Sequence, residues 1–351
     1  MDDSTTKPGH GAGAPGRHAL RMVAWELTRA CNLACRHCRA AAVAEPPPGE
    51  LTTGECLSLL ADIAGFARPT IILTGGEPLL RPDVFDIAAH GTELGLRMVA
   101  APNGTLLDAT AARRLVAAGV LRISISIDGE NAASHDALRG VAGAFDGALR
   151  GIEAAKGAGL PFQLNTTVTT ENADELPAIH QLASRLGAVA HHVFLLVPTG
   201  RAADLRGLEL DARRYERVLE WLADRYVDSP LEIRATCAPH FYRILRQRGI
   251  ATEARGCLAG QSFCFISHVG DVQPCGYFDA QVGNVRQRSL REIWEGAELF
   301  RRLRDHAAYE GKCGRCEFVH VCGGCRARAY EATGNPLGPE PLCAYVPPAR
   351  R

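Results

Sequence analysis

The chain has 351 residues, which is long enough for one large catalytic domain and a smaller one. Hydrophobic residues make up 46% and charged residues 22%, as in ordinary globular proteins, and no apolar run approaches the length of a membrane-spanning helix. Basic and acidic residues number 39 each, so no positive excess is present to attract nucleic acid or anionic membranes. Neither is therefore an expected partner.

The N-terminal stretch, residues 1–20, is rich in Gly and Pro without periodicity, which predicts a disordered tail. It contains no apolar run of signal-peptide length, so we expect a cytoplasmic protein. Thiols stay reduced in the cytoplasm, and the 13 cysteines therefore indicate metal ligation rather than disulfide bonds.

From residue 21 onward, strand-like apolar runs alternate with amphipathic helical stretches. The predicted strands are residues 22–28, 70–73, 97–101, 121–127, 162–168 and 191–196. The later strands are followed by helices that begin near Pro82, Asp108, Ser134, Asp174 and Asp211. Such repetition favours parallel strands with right-handed crossovers, and six units are too few to close an eight-stranded barrel. We expect an α/β fold with a partial (β/α)6 barrel over residues 21–229.

The pattern changes after about Asp228, where periodicity fades. Cysteines and glycines then gather in the segments 257–277 and 313–325. Segments of this composition predict a small module organised by metal rather than by a conventional apolar core. We expect this cysteine-rich domain to cover residues 230–351.

Three cysteines with CxxxCxxC spacing, Cys31, Cys35 and Cys38, directly follow the first predicted strand. Three thiolates can hold a [4Fe-4S] cluster and leave one iron open to a small molecule. The alternative is zinc, which normally takes a fourth ligand, and His37 lies too close along the chain to be a comfortable one. The spacing therefore favours the iron–sulfur cluster.

Unusual sequences follow the other predicted strands as well, namely TGGEP, APNGT, SIDG and VPTGR. Loops at the carboxyl ends of parallel barrel strands build the active site, so we expect these segments to lie together. CxxxCxxC after the first strand and GGEP after the second resemble the radical S-adenosylmethionine (radical SAM) superfamily. The resemblance implies reductive cleavage of S-adenosylmethionine to a 5′-deoxyadenosyl radical, which abstracts hydrogen from substrate.

The same resemblance implies which residues meet the cofactor. Glu77 would hold the amino group of its methionine moiety, while His37 stands where the family often has an aromatic residue near adenine. No catalytic residue is singled out. The cofactor-facing residues implied are Gly75, Gly76, Glu77, Asn103, Ser126 and Asp128.

The later cysteines resemble the SPASM domain, which binds auxiliary iron–sulfur clusters. By this resemblance, two clusters would be held by Cys257, Cys264, Cys275 and Cys325 and by Cys313, Cys316, Cys322 and Cys343. A single auxiliary cluster is an alternative, as is a zinc ribbon over residues 313–325. Cys56 is interpreted as a core residue, and the role of Cys237 is left open.

Longer stretches, including IILTGGEPLLRPD and GCLAGQSFCFISHVGDVQPCGYF, resemble one branch of the superfamily, the haem synthases of the sirohaem-dependent pathway. The resemblance implies an iron-coproporphyrin III substrate whose two propionates lose carbon dioxide to become vinyl groups, giving haem b. It also implies a reducing donor such as flavodoxin or ferredoxin. Candidate substrate residues are Arg201, Arg243 and His240, since guanidinium pairs with carboxylate and imidazole can approach iron.

Three other interpretations compete with this one. Related enzymes acting on didecarboxysirohaem, or making the haem of denitrifiers, would share every motif. A SPASM peptide maturase is disfavoured because the short N-terminal tail leaves no room for a peptide-recognition domain. In addition, Gly276 follows Cys275 where some sulfatase-maturing relatives have an Asp base. A non-enzymatic scaffold would have no need of an open cluster beside GGEP.

Overall fold

The computed structural model of the chain describes residues 18–252 and 256–348. Its strands are β1 (Met22–Glu26), β2 (Thr70–Thr74), β3 (Arg97–Ala100), β4 (Ile123–Ser126), β5 (Phe162–Val168), β6 (Ala190–Leu195), β7 (Glu232–Thr236), β8 (Phe263–Ile266), β9 (Asp271–Gln273) and β10 (Gly283–Asn284). Its helices are α1 (Thr53–Phe66), α2 (Val84–Glu93), α3 (Ala109–Ala117), α4 (Ala132–Arg139), α5 (Ala144–Gly157), α6 (Leu176–Leu186), α7 (Ala212–Tyr226), α8 (His240–Gln247), α9 (Leu290–Gly296), α10 (Glu298–Arg304), α11 (Gly311–Gly314) and α12 (Arg326–Thr333).

The ten strands form one open sheet in the order β10-β9-β8-β1-β2-β3-β4-β5-β6-β7. Strands β1 to β7 run parallel in chain order, and β8 also lies parallel to β1 on its other side. The predicted partial barrel of six strand–helix units is confirmed. Strand β7 and the antiparallel additions β9 and β10 extend the sheet beyond the prediction.

Alternation along the strands sorts side chains between the two faces of the sheet. In β1, Val23 and Trp25 are fully buried and belong to the large apolar core that also includes residues of helices α1, α2, α3, α5 and α6. Glu26 alternates to the opposite face, which is the concave side. The cysteine loop leaves the carboxyl end of β1, and the GGEP turn leaves that of the neighbouring β2. Since the two strands are parallel, both segments lie at the same edge of the sheet.

The chain after residue 229 adds four strands to the same sheet and then packs a second, smaller cluster around cysteines. Buried members of this cluster include Phe278, Tyr309, Cys313 and Cys325. Since β7 pairs with β6 along its whole length, no break in the sheet coincides with residue 230. The domain division at this position stays a prediction.

Residues 1–17 of the predicted tail lie outside the described residues. The last three residues of that prediction are described, and they pack on the fold. Leu20 is buried, and the carbonyl of His18 accepts a hydrogen bond from the indole of Trp294. Within residues 18–252 and 256–348, no helix has the length and apolar character needed to cross a membrane.

Candidate active site

The first three cysteines lie together in the loop that leaves β1. Cys35 is buried, and Cys31 and Cys38 are half-buried beside it in one small apolar cluster. The backbone N–H of Leu33 donates to the sulfur of Cys31 at 3.4 Å, and that of Ala42 donates to Cys38 at 3.5 Å. Hydrogen bonds to thiolates are typical of iron–sulfur sites. The three thiols therefore fit a cluster held by three cysteines.

The two glycines after β2 let the GGEP turn pack directly against this loop. The N–H of Gly76 donates to the carbonyl of Thr28, and that of Glu77 donates to the carbonyl of Ala30. A Cβ atom on Gly76 would lie 2.1 Å from the carbonyl oxygen of Ala30, and one on Gly75 would lie 2.4 Å from that of Thr28. Any larger residue would push the turn away from the cysteines.

Glu77 is fully buried at the junction of the β2 and β3 ends. Its carboxylate accepts hydrogen bonds from the backbone N–H groups of Leu79 at 2.9 Å and Asn103 at 2.6 Å. Burial raises the pKa of Glu77 to about 7, although both backbone bonds oppose the shift. Among the described residues, no basic side chain forms an ion pair with it. A buried, unpaired carboxylate beside the cysteine loop suits the ammonium group of a ligand.

Replacing Glu77 by Gln is expected to weaken binding of S-adenosylmethionine at least about tenfold, because a charge-assisted hydrogen bond to ammonium is lost. The dissociation constant is measured anaerobically by calorimetry on protein of equal iron content. Glu298→Gln, at an exposed carboxylate on α10, is the matched control and should bind as the wild type does.

The raised pKa of Glu77 gives this prediction a pH signature. An ionised carboxylate binds ammonium better, so the affinity of the wild type should fall as pH drops from 8 through the pKa of about 7. The Glu77→Gln variant should lose that slope. Equal slopes in both proteins would contradict an amino-group contact at Glu77.

Asn103 and Ser126 reach the same edge of the sheet. The side-chain amide of Asn103 donates to Asn32 at 2.8 Å and lies 4.0 Å from the sulfur of Cys31. Ser126 is half-buried at the end of β4. Both positions are compatible with contact to a ligand bound between Cys31 and Glu77.

Asp128 does not face such a ligand, which corrects the interpretation from the sequence. It is fully buried, and one oxygen accepts the N–H of Thr167 at 2.7 Å. The other oxygen lies 2.6 Å from Arg139 and 3.2 Å from His37. Burial alone would raise the pKa of Asp128, but the charges of Arg139 and His37 outweigh it and hold the pKa far below its usual range. Since Arg139 also donates to Cys35 at 3.7 Å, Asp128 braces the cysteine loop.

Replacing Asp128 by Asn is expected to lower the free energy of unfolding by about 3 kcal/mol, since it leaves the Arg139 guanidinium buried without a counter-charge. Anaerobic thermal unfolding and iron retention are the measurements. Asp224→Asn, at an exposed ion pair with Arg248, should change stability by less than about 0.5 kcal/mol. A variant at Asp128 as stable as this control would show that the buried pair is dispensable.

The later cysteines form two groups, and the first contains Cys237, Cys257, Cys275 and Cys325. A hydrogen bond between the Cys237 and Cys325 thiols raises the pKa of Cys237 and lowers that of Cys325 to about 7. Burial raises the pKa of Cys275, and the nearby Cys257 and Cys325 raise it further. Cys237 directly follows β7 with φ of 58°, a left-handed conformation that is uncommon outside glycine. We call these four residues the first quartet.

Cys264 is not part of the first quartet, contrary to the implication of the sequence resemblance. It lies within β8 opposite Val23 of β1, and its side chain is fully buried in the large core on the helix side. Burial raises the pKa of Cys264, and Arg304 is the one charged group acting on it. The pleat of the strand therefore turns this thiol away from the other cysteines.

The second group, which we call the second quartet, contains Cys313, Cys316, Cys322 and Cys343. All four line one pocket. This set agrees with the second one implied by the sequence resemblance, whereas Cys325 lies in the first quartet. The alternative zinc ribbon over residues 313–325 is therefore not formed by its own four cysteines. Within the described residues, no three His, Cys, Asp or Glu side chains already form a site for a single metal ion.

Arg201, predicted to meet substrate, braces the cysteine loop. Its Nε atom donates to the carbonyl of Cys35 at 2.8 Å, and one terminal nitrogen donates to the carbonyl of Ala42 at 2.5 Å. These contacts fix the two sides of the loop that carries Cys38. Its other terminal nitrogen is buried without a hydrogen-bond partner, and the assignment of Arg201 to a propionate stays a prediction.

Arg243 and His240 are also engaged within the protein. Arg243 is buried, and one of its terminal nitrogens contacts both carboxylate oxygens of Glu216 at 2.6 Å. His240 is 1% exposed and lies 3.1 Å from the Glu340 carboxylate, while burial lowers its pKa to about 4. Both residues also line the pocket of the second quartet, and their assignment to a substrate stays a prediction.

Comparison with known proteins agrees with this arrangement. The model of the radical SAM superfamily matches residues 25–183, and that of SPASM, an iron–sulfur cluster-binding domain, matches residues 257–317. Among solved structures, the fold is similar to that of Streptococcus suis SuiB bound to precursor peptide SuiA. The TM-score is 0.77 at 17% identity, with 93% of this chain and 76% of SuiB covered.

Sequence relatives cover nearly the whole chain. A protein named AdoMet-dependent heme synthase from Nitratidesulfovibrio vulgaris is 50% identical over 95% of this chain and 94% of its own length. Its namesake from Methanosarcina barkeri is 50% identical over 94% of this chain and 98% of its own. A pre-heme d1 synthase from Dinoroseobacter shibae is 35% identical over 92% of this chain and 85% of its own.

The three-cysteine loop, the buried Glu77 and the later cysteines fit iron–sulfur clusters with S-adenosylmethionine, as these families require. The chain therefore belongs to the radical SAM superfamily and is a radical SAM enzyme with a SPASM iron–sulfur domain.

Proposed function

We propose that this enzyme makes haem b from iron-coproporphyrin III by oxidative decarboxylation of two propionate side chains. The observation that carries the proposal is the 50% identity, over nearly the full length of both chains, to proteins named AdoMet-dependent heme synthase. The pre-heme d1 synthase relative is more distant, at 35% identity. It makes another tetrapyrrole the second candidate, and a peptide is the third.

In the proposed reaction, each propionate loses three things. Conversion of a –CH2–CH2–COO⁻ group to a vinyl group releases one hydrogen atom, one carbon dioxide molecule and one electron. The cysteine-bound cluster and S-adenosylmethionine together supply the 5′-deoxyadenosyl radical that takes the hydrogen atom. The released electron needs an acceptor near the substrate, and the two quartets of cysteines provide sites for one.

The residues of this chain have separate tasks in that reaction. Cys31, Cys35 and Cys38 hold the cluster, and Glu77 orients the cofactor through its amino group. Cys237 and Cys275 of the first quartet and Cys38 of the cysteine loop all act electrostatically on Tyr277, and we assign this quartet the cluster that would receive the electron. The second quartet would hold a further auxiliary cluster, which would supply a second site for electron transfer.

We further propose a strongly reducing partner, such as a flavodoxin or ferredoxin, for the first electron. We place the enzyme in the cytoplasm, where the 13 cysteines, all of them unpaired, would remain reduced. The partner proposal is tested by turnover with reduced flavodoxin in place of dithionite.

The test of the proposed function compares two substrates and a control without tetrapyrrole under anaerobic reducing conditions. Reconstituted enzyme is given S-adenosylmethionine with iron-coproporphyrin III, with didecarboxysirohaem or with no tetrapyrrole, and the porphyrin products are identified by mass spectrometry. We expect haem b from the first substrate alone. Conversion of didecarboxysirohaem, with iron-coproporphyrin III unchanged, would contradict the proposed function. It would support the second candidate, an enzyme that acts on another tetrapyrrole.

A further inference from the structure

A charged cluster lies on the concave face where β1 and β8 end. The carboxylate of Glu26 is 2% exposed, 2.8 Å from the imidazole of His268 and 3.1 Å from the guanidinium of Arg39. Arg29 reaches the same carboxylate at 3.7 Å. None of these four residues belongs to the cysteine groups or to the Glu77 site. The function described so far leaves them without a role.

Arg39 is the member of this cluster with unused hydrogen-bonding capacity. A guanidinium carries five N–H donors, and in the described residues its one ion pair is with Glu26, through a single nitrogen. Its side chain is 17% exposed, and its other nitrogens are not sealed inside the protein. The carboxylate of Glu26 also pairs with His268 and Arg29. Its negative charge is therefore shared and does not fully neutralise Arg39. Arg39 can therefore take a second carboxylate.

The position of Arg39 joins the two halves of the active site. Its backbone follows Cys38 in the cysteine loop, and its guanidinium lies 4.5 Å from the centre of the Phe265 ring on β8. It also packs against Gly276, the residue that follows Cys275 of the first quartet. A carboxylate bound to Arg39 would lie between the cysteine loop and the first quartet.

Gly276, next to Cys275, leaves room for this arginine. A Cβ atom at this position would lie 3.0 Å from Cδ and 3.2 Å from Nε of Arg39, and 3.1 Å from the Phe265 ring. An acidic side chain here would both crowd and neutralise the guanidinium. The absence of a side chain at Gly276 keeps Arg39 available to an external anion.

Tyr277 completes the polar side of the same space. Its ring packs against the small apolar cluster that Cys237 and Cys275 also contact. Arg39 and Cys38 lie within electrostatic reach of its hydroxyl, so Tyr277 borders the cysteine loop and the first quartet at once. The hydroxyl can donate a hydrogen bond to a bound carboxylate.

We propose that Arg39 binds the carboxylate of the reacting propionate, with Tyr277 as a second donor, and is thereby a specificity-determining residue of this enzyme. The inference rests on the proposed function, because it takes the substrate to be a tetrapyrrole with propionate side chains. Guanidinium and carboxylate form a bidentate, charge-assisted pair, and this pair selects a carboxylate over its ester. Bound there, the group to be lost lies beside the electron-accepting quartet.

The test is equilibrium binding without reductant, so that no turnover occurs. Iron-coproporphyrin III and its tetramethyl ester are titrated into wild type, Arg39→Gln, Arg39→Lys and Tyr277→Phe, and binding is followed by the Soret absorbance. Arg39→Gln should weaken binding of the acid about 10- to 100-fold and that of the ester by less than about threefold. Arg39→Lys should lie in between, and Tyr277→Phe should weaken the acid about threefold to tenfold.

Two controls separate a specific effect from a damaged protein. Arg291→Gln removes an exposed charge on α9 and should bind both porphyrins as the wild type does. Iron content must match in all variants, and Arg39→Lys replaces Arg39→Gln if the latter loses iron. Unchanged acid binding in the Arg39 variants, or equal loss for acid and ester at full iron content, would overturn the inference.

The same titration with didecarboxysirohaem distinguishes this inference from the proposed function. If the wild type binds and transforms that compound instead, the proposed function fails. An Arg39 effect on it of the size expected for iron-coproporphyrin III would then still support carboxylate recognition. If the wild type binds no carboxylate-bearing tetrapyrrole, both the function and the role of Arg39 are wrong.

Discussion

Replacing Cys237 by Ala is expected to remove about four irons per chain, because this thiol is the fourth member of the first quartet. The thiol of Cys237 forms a hydrogen bond with that of Cys325, and Cys275 is close enough to act on it electrostatically. Loss of one of four cysteines should release the auxiliary cluster or leave it labile. The variant should still cleave S-adenosylmethionine to 5′-deoxyadenosine, since the loop of Cys31 is intact, but should make little haem b.

Cys264→Ala is the matched control for this experiment. It removes a buried thiol of the same sheet that faces the helix-side core rather than the quartet. Its iron content, electron paramagnetic resonance spectrum and product yield should equal those of the wild type, with at most a small loss of thermal stability. The reverse result, with iron lost in Cys264→Ala and kept in Cys237→Ala, would restore the ligand set implied by the sequence.

Replacing Cys31 by Ala is expected to abolish formation of 5′-deoxyadenosine altogether. Three thiols hold the cluster that binds S-adenosylmethionine, and two are too few to retain it. About four irons per chain should be lost, and those of the two quartets should remain. Chromatography of nucleoside products after anaerobic incubation with dithionite measures the effect.

Cys56→Ala provides the control for Cys31→Ala. This thiol is buried in α1 beside the Arg81 guanidinium and lies outside both quartets and the cysteine loop. Cleavage of S-adenosylmethionine should continue at the wild-type rate in this variant. Residual 5′-deoxyadenosine formation in Cys31→Ala, above the level without protein, would contradict the assignment of the cleaving cluster.

The sequence predicted the barrel well because each strand there is a short apolar run bounded by turn residues. The predicted strand at residues 162–168 coincides with β5, and α3 and α7 begin directly after Asp108 and Asp211, near which helix starts were predicted. The strands after residue 229 escaped prediction. Strands β9 and β10 are only three and two residues long, too short to display periodicity. Helix α5 was also missed, since it follows α4 after a short turn at residues 140–143.

The candidate site likewise contains residues that the sequence predicted and residues that it did not. The cluster role of Cys31 follows from a local motif, and the roles of Glu77 and the second quartet follow from the sequence resemblance. Cys237, by contrast, lies 20 residues before Cys257 and outside the spacing of the array. Its place in the first quartet depends on β7 joining the sheet and on an unusual backbone conformation, neither of which a local pattern displays. Alternation in the run FCFI was a usable signal against Cys264, since Cys264 and Ile266 must share one face.

The prediction of substrate residues was limited because arginine side chains also find hydrogen-bond partners inside the protein. Arg201 and Arg243 were candidates because arginine pairs with carboxylate, but the fold directs them to backbone carbonyls and to Glu216. Which arginine keeps free donors depends on partners distant in sequence. Arg39 meets Phe265 across 226 positions of the chain, a contact that the residue pattern alone cannot show.

The most direct test of the account follows a hydrogen atom from substrate to cofactor. Iron-coproporphyrin III carrying deuterium on the propionate carbons attached to the ring is incubated anaerobically with the wild type, and 5′-deoxyadenosine and porphyrin are analysed by mass spectrometry. We expect one deuterium in the 5′-deoxyadenosine for each vinyl group formed, with haem b as the final product. Unlabelled 5′-deoxyadenosine together with unchanged porphyrin would contradict it.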